Sequence, residues 1–384
     1  MRINKVLSGA LLVAGTSIGA VMLVLPLQTS VLGGLGSVAV LSLVLFIMWS
    51  SAQLFLEVCL KYPETNVISL VGKLGFPGLQ SAVWLFMLIF LYALMSAYTS
   101  GGSEFLIKGL SAVGLAQEGS KYFSMLAFVL LFGGLVVLGT RVVDSFNKIA
   151  MFILGLSYVS ILYIVWWRTQ KIGIVWQPEP VLFASKINFF KIVLQTLSVV
   201  VTSFGFHLLI PSLSHYLNKK ARDLRWAITL GCGLVALVYL SWVLSIFTII
   251  PPTQAFRDSG ASAITNYLIQ QSPYAALSIA WFSFMALLTS FVGVSLGLVD
   301  LLADGLKINK QTKYGKVKLF TLAFIPPLLY TVIHPTGFLQ ALRYAGIFSA
   351  ILLIALPAYL HIRTFGVKTK SLVLILIASL LLFA

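Results

Sequence analysis

The sequence predicts an all-helical, polytopic membrane protein of about eleven transmembrane helices, arranged as a five-plus-five inverted repeat whose first and sixth helices are broken. Three observations lead there. The 384 residues are 59% hydrophobic and 9% charged, with a mean hydropathy of +1.02, outside the range of a water-soluble domain. Apolar runs of about 20 residues recur from end to end, each long enough as a helix to cross a hydrocarbon core of roughly 30 Å. Two of these runs, five spans apart, carry matching clusters of glycine and hydroxyl residues near their middles.

With Gly, Pro and charge clusters as punctuation, the spans read as 6–27, 35–59, 79–103, 121–139, 147–167, 188–210, 226–250, 275–301, 317–333, 338–360 and 371–384. Residues 1–384 form one membrane domain: 6–167 is the first repeat, 188–360 the second, and 371–384 an additional short helix. The amino terminus has the basic start of a signal peptide. Its apolar run continues to Pro26, longer than a signal core, and many spans follow, so it is kept as the first helix.

The net charge of +16 does not point to nucleic acid, because the basic residues are scattered over short loops. About 18 of the 26 lysines and arginines fall on the side of the amino terminus, which places that terminus in the cytoplasm. Arg168, Lys171, Lys186 and Lys191 dissent, flanking a connection placed outside. Since five is odd, spans one to five and six to ten have opposite orientations, as an inverted repeat requires. Cys59 and Cys232 lack CxxC spacing and read as buried, inert thiols. His207, His215, His334 and His361 are dispersed without HExxH spacing, which argues against a membrane enzyme; a channel, the other alternative, would be expected to show charged or carbonyl-lined filter segments.

The first cluster is Gly15-Thr16-Ser17-Ile18-Gly19-Ala20, followed by Pro26. The second is Thr202-Ser203-Phe204-Gly205-Phe206-His207, followed by Pro211. Either is expected to open a turn and bare peptide groups mid-membrane, which lipid tolerates only where protein or a water-filled cavity covers them. Half-helices ending at such a gap present partial positive and partial negative ends, a match for a zwitterion with a carboxylate and an ammonium. Close helix packing is the alternative use of small residues.

Four ordered motifs carry a likeness to a known family. They are Gly15-Thr16-Ser17-Ile18-Gly19-Ala20 through Leu25-Pro26; Leu56-Glu57-Val58 with Pro63 and Asn66; Phe204-Gly205-Phe206-His207 with Ile210-Pro211-Ser212-Leu213; and Thr289-Ser290-Phe291 through Gly297, Asp300, Ala303 and Asp304. Over nearly its whole length the chain resembles the hydroxy and aromatic amino acid permeases, which include tyrosine-specific and tryptophan-specific bacterial transporters. Val21, Cys59 and Leu208-Leu209 depart from the family's usual glycine, asparagine and small residues, and the bulk at Val21, Leu208 and Leu209 is expected to narrow or reshape the pocket. The resemblance implies the inverted-repeat fold, uptake across the inner membrane and symport driven by the proton gradient. It also implies a mechanism in which substrate binds between the broken helices and a four-helix bundle rocks against the rest.

The expected function is therefore import of an aromatic amino acid, tyrosine first, with hydroxy amino acids as the alternative. No cofactor, no nucleic acid and no obligate protein partner is expected; the partners are the amino acid and the lipid bilayer. The expected substrate-binding residues are Gly15, Thr16, Ser17, Gly19, Ser203, Phe204, Gly205, Phe206 and Tyr98. Phe204 and Phe206 offer ring faces for an aromatic substrate, or pack. His207 is the ionisable group nearest mid-membrane and a candidate for proton coupling, or a structural histidine. In sodium-coupled relatives of the implied fold a hydroxyl pair placed like Thr289 and Ser290 joins carbonyls of the opened first helix around the ion, which makes sodium coupling the rival to proton coupling; otherwise their hydroxyls bond their own helix. Tyr92, Ser100, Gly101 and Gly102 give the third span a polar, small face. Glu57, Asp300, Asp304, Glu104 and Arg343 lie near helix ends as interface anchors or gate pairs.

Overall fold

Only a helix, or a closed barrel, pairs all the backbone groups of a segment surrounded by lipid. A computed structural model describes residues 2–62, 67–112, 114, 120–138, 140–172, 186–249, 273–335 and 337–382, which form helices joined by short turns with no strand among them. Pro63 and Asn66 lie outside the described residues.

The amino-terminal helix α1 (Arg2–Ser17) stops short and is followed by a 3-10 turn (Ala20–Val24), the short α2 (Leu25–Thr29) and a second 3-10 turn. Gly33, at φ 66, then takes the left-handed conformation that a residue with a side chain resists, and the chain turns into α3 (Gly33–Lys61). Next come α4 (Val67–Leu74), α5 (Leu79–Ala112), α6 (Ser120–Phe128), a π-helical turn (Val129–Gly133), α7 (Gly134–Leu138) and α8 (Thr140–Ile172). The second half opens with α9 (Lys186–Thr202), a 3-10 turn (Phe206–Leu209) and α10 (Ile210–Tyr216), then α11 (Ala221–Ile249). It continues through α12 (Pro273–Gly305), α13 (Lys313–Ile333), α14 (Phe338–Ser349), a π-helical segment (Ala350–Ala355), α15 (Leu356–Phe365) and α16 (Thr369–Leu381).

Eight helices among the described residues are long and apolar enough to cross a membrane. The other three expected spans fall on shorter pieces. The span expected at 6–27 is α1 plus its break, 121–139 is split by the π turn, and 371–384 is the 13-residue α16. The short α4 was not expected, because eight residues are too few to register as a span.

The chain divides into two units, residues 1–87, 178–244 and 346–384 in the first, and 88–177 and 245–345 in the second. In the first, α3 packs against α15, α10 and α9, and α1 packs against the 3-10 turn at 206–209. Its core holds Met48, Leu56, Phe204, Phe206, Tyr239 and Trp242. In the second, α12 lies along α8. Its core is an aromatic cluster in which Phe128 meets Phe291 edge-on at 4.8 Å and Phe291 meets Phe324 at 5.9 Å. Outward-facing side chains such as Phe46, Phe152 and Leu237 are 62%, 72% and 65% exposed, as lipid contact allows.

Two prolines show how polar side chains are spent. Pro326, inside α13, has no N–H to give the Leu322 carbonyl one turn back, and the Tyr92 hydroxyl donates to that carbonyl at 2.7 Å. Pro357 leaves the Leu353 carbonyl short in the same way, and Ser51 donates to it at 2.5 Å. In each case a hydroxyl from a neighbouring helix replaces a missing backbone donor.

Candidate functional site

The site is built on two interrupted helices of the first unit. The last backbone bond of α1 runs from Ile18 N to Ala14 O at 2.8 Å, after which Gly19 is fully extended (φ −167, ψ −152). Gly15, Thr16 and Ser17 are thus inside the helix, and the opened turn begins at Ile18, later than the sequence cluster suggests. The reason is local. Thr16 donates to the Leu12 and Val13 carbonyls at 3.1 and 2.9 Å, and Ser17 donates to Val13 O at 3.1 Å, so both hydroxyls are satisfied without unwinding the chain.

The second break follows α9. Thr202 and Ser203 turn their hydroxyls back onto the Val199 and Val200 carbonyls, and the amides of Ser203 and Phe204 close 3-10 bonds at 3.1 and 3.2 Å. Gly205 sits at an ordinary φ of −72 and Phe206 begins the next 3-10 turn. Beyond each break the chain restarts on a proline, Pro26 in α2 and Pro211 in α10, where a residue with no N–H costs no hydrogen bond. These restarting helices have five and seven residues, so their dipoles are shorter than the expected half-spans would carry.

What joins the breaks is a residue the sequence reading passed over. The Tyr239 hydroxyl, from the middle of α11, lies 2.5 Å from Ser17 O and 2.8 Å from Ser203 O. The last turn of a helix has carbonyls without helical partners, so these two oxygens mark the partially negative ends of α1 and α9. One hydroxyl holds both. A tyrosine between valine and leucine in an apolar run gives no pattern by which to find it.

The aromatic side chains around the breaks are buried. The Phe204 ring meets Tyr239 edge-on at 5.3 Å, and Phe206 lies 4.8 Å from the His207 ring. His207 is 2% exposed, its ring set against the backbone of Phe204 and Met48. The sequence-derived residues of the first and sixth spans therefore gather in one place within this unit. Tyr98, Thr289 and Ser290 belong to the second unit. There the Tyr98 phenol pairs with the Ser290 hydroxyl. Thr289 donates to the Met285 and Ala286 carbonyls at 2.9 and 3.2 Å, the own-helix bonding that was the alternative to ion binding.

Gly205 itself is not sterically required. A Cβ there would meet only Thr202 O, at 3.5 Å, in a backbone conformation open to alanine. Gly205→Ala is expected to change thermal stability by less than about 1 kcal/mol, since it fills no occupied space. A thermal melt of the solubilised variant checks this, and a large drop would show the position to be tighter than its geometry.

The sequence profile of the tryptophan/tyrosine permease family matches residues 2–375. The tyrosine-specific transport system 1 of Haemophilus influenzae is 33% identical over 371 residues, covering 93% of this chain and 88% of the relative. The tryptophan-specific transport protein of the same organism is 32% identical, covering 93% and 87%. Its tyrosine-specific transport system 2 is 31% identical, covering 94% and 88%.

Proposed function

Because the chain belongs to the tryptophan/tyrosine permease family, whose members are transport proteins and not enzymes, we propose that it imports an aromatic amino acid, tyrosine first, across the bacterial inner membrane by proton-coupled alternating access. The amino terminus faces the cytoplasm in this reading, following the bias of lysine and arginine between loops.

The observation that carries the substrate class is the meeting of two helix C-termini at one point. The Ser17 and Ser203 carbonyls, both within reach of one donor, are a natural seat for a substrate ammonium, and buried rings beside them suit an aromatic side chain. The inverted repeat is supported by the division of the chain. Most of spans one, two, six and seven lies in the first unit, and most of spans three, four, eight and nine in the second, so these four repeat-related pairs stay together, whereas span five lies in the second unit and most of span ten in the first. Tyrosine is preferred on the two tyrosine-specific relatives, although a tryptophan-specific one is almost as similar. Proton coupling draws on His207, a buried ionisable group beside the second break.

Uptake of labelled tyrosine into proteoliposomes tests this reading. An imposed proton gradient without sodium is expected to drive saturable accumulation that tyrosine, tryptophan and phenylalanine compete for best among the twenty amino acids. His207→Gln is expected to flatten its pH dependence. Accumulation that needs sodium would replace the proton in this scheme, and competition led by serine or threonine would replace the substrate.

A further inference from the structure

Tyr239 is used more sparingly than the other hydroxyls that rescue a carbonyl. Leu322 O has the Tyr92 hydroxyl and Leu353 O has the Ser51 hydroxyl, each a donor for one freed acceptor. Ser17 O and Ser203 O share one phenol, which has a single proton. Donation to either carbonyl leaves the other facing the phenol's lone pairs. A primary ammonium has three N–H donors and a full positive charge, so it serves both carbonyls at once and gains from both partially negative helix ends. The phenol is the weaker of two occupants for one seat.

We propose that the Tyr239 hydroxyl is the stand-in for the substrate's ammonium in the empty carrier. It binds the ends of α1 and α9 together when no amino acid is present, and the arriving ammonium displaces it. This deepens the amino acid transport reading and rests on it. The ring of Tyr239 is fully buried and packs edge-on against Phe204, so the side chain is held at the breaks by more than its hydroxyl. Two consequences follow. Substrate binding competes with a bond the protein makes to itself, which weakens apparent affinity. Return of the empty carrier depends on that same bond, because without it two buried carbonyls cross the membrane cycle unpaired.

Tyr239→Phe keeps the ring and deletes the hydroxyl. In proteoliposomes the expected result is a KM for tyrosine lowered by roughly threefold to tenfold, the worth of one hydrogen bond. The maximal rate of net uptake falls by a similar factor. Exchange of external for internal tyrosine, which never requires the empty carrier to return, falls by less than net uptake does. Placing 4-aminophenylalanine at position 239 restores a donor with two N–H groups, one for each carbonyl, and is expected to raise KM above wild type. An unchanged or raised KM for Tyr239→Phe, with uptake and exchange falling together, would mean a structural tie only and overturn the proposal. If the phenylalanine variant is not monodisperse in detergent, the amino variant decides alone, and a KM that fails to rise overturns it. Wild-type protein that neither accumulates nor exchanges any amino acid would instead remove the transport reading itself.

Discussion

Gly346→Ala is expected to leave almost no folded protein. Gly346 lies on α14 where that helix crosses α9, and a Cβ there would collide with the Ser198 hydroxyl oxygen, with the Ser198 carbonyl oxygen at 2.5 Å and with its carbonyl carbon at 2.7 Å. A side chain could rotate away, but a helix backbone cannot, so α9 and α14 must part. Overpacking of a core usually costs about 1–3 kcal/mol, and collision with main chain belongs at or above the top of that range. Ser198→Ala is not expected to rescue, because the carbonyl remains. Gly231→Ala meets the Val13 Cβ at 2.6 Å and the Ala10 carbonyl oxygen at 2.9 Å and is expected to be nearly as damaging. Gly233, two residues further along α11, has nothing within 4 Å of an added Cβ and supplies the neutral control. Size-exclusion profiles of fluorescently tagged variants in mild detergent measure this; a wild-type peak for Gly346→Ala would refute the close crossing.

Glu57→Ala is the second large effect. The Glu57 carboxylate accepts from Arg225 at 3.1 Å through Oε1 and meets His361 Nε2 at 3.1 Å through Oε2, while His361 Nδ1 meets the Ser371 hydroxyl at 3.1 Å. One neutral tautomer satisfies the chain, with Ser371 donating to Nδ1 and Nε2–H donating to the carboxylate. Four helices, α3, α11, α15 and α16, are thereby tied at one end of the first unit. Loss of the carboxylate strands His361, which is fully buried, and an orphaned buried polar group costs about 1–3 kcal/mol. Arg225 is 56% exposed, so Arg225→Ala is expected to cost less than about 1 kcal/mol. Thermal denaturation in detergent should therefore rank Glu57→Ala far below Arg225→Ala, with Glu57→Gln between them. Equal losses from Glu57→Ala and Arg225→Ala would locate the tie in the ion pair instead of the histidine.

How much of this was open to inspection of the sequence depends on the kind of signal. The breaks were legible because glycines and hydroxyls stand out inside Leu- and Val-rich runs, and because Pro26 and Pro211 mark where helix can resume. The point of opening was not, since Thr16 and Ser17 can bond backward to Val13 as readily as they can leave the helix. Tyr239 was hidden by distance, its partner Ser17 being 222 residues earlier. The π-helical turns at Val129–Gly133 and Ala350–Ala355 have the composition of any apolar helix, so nothing local announces the extra residue each accommodates. Glu57 read as an interface anchor or one of a gate pair, and nothing in the sequence named Arg225 as its partner; His361, dismissed for lack of a metal or catalytic motif, is the other.

The 222 residues between Ser17 and Tyr239 also bear on biogenesis. A nascent α1 emerges from the ribosome long before α11 exists, and an unsatisfied peptide carbonyl costs several kcal/mol in hydrocarbon. At 16 residues α1 is about 24 Å long, too short to reach across the bilayer unaided. The discontinuity at Ile18–Gly19 is therefore expected to form late, once translation has passed position 239 and α11 has been delivered beside α1.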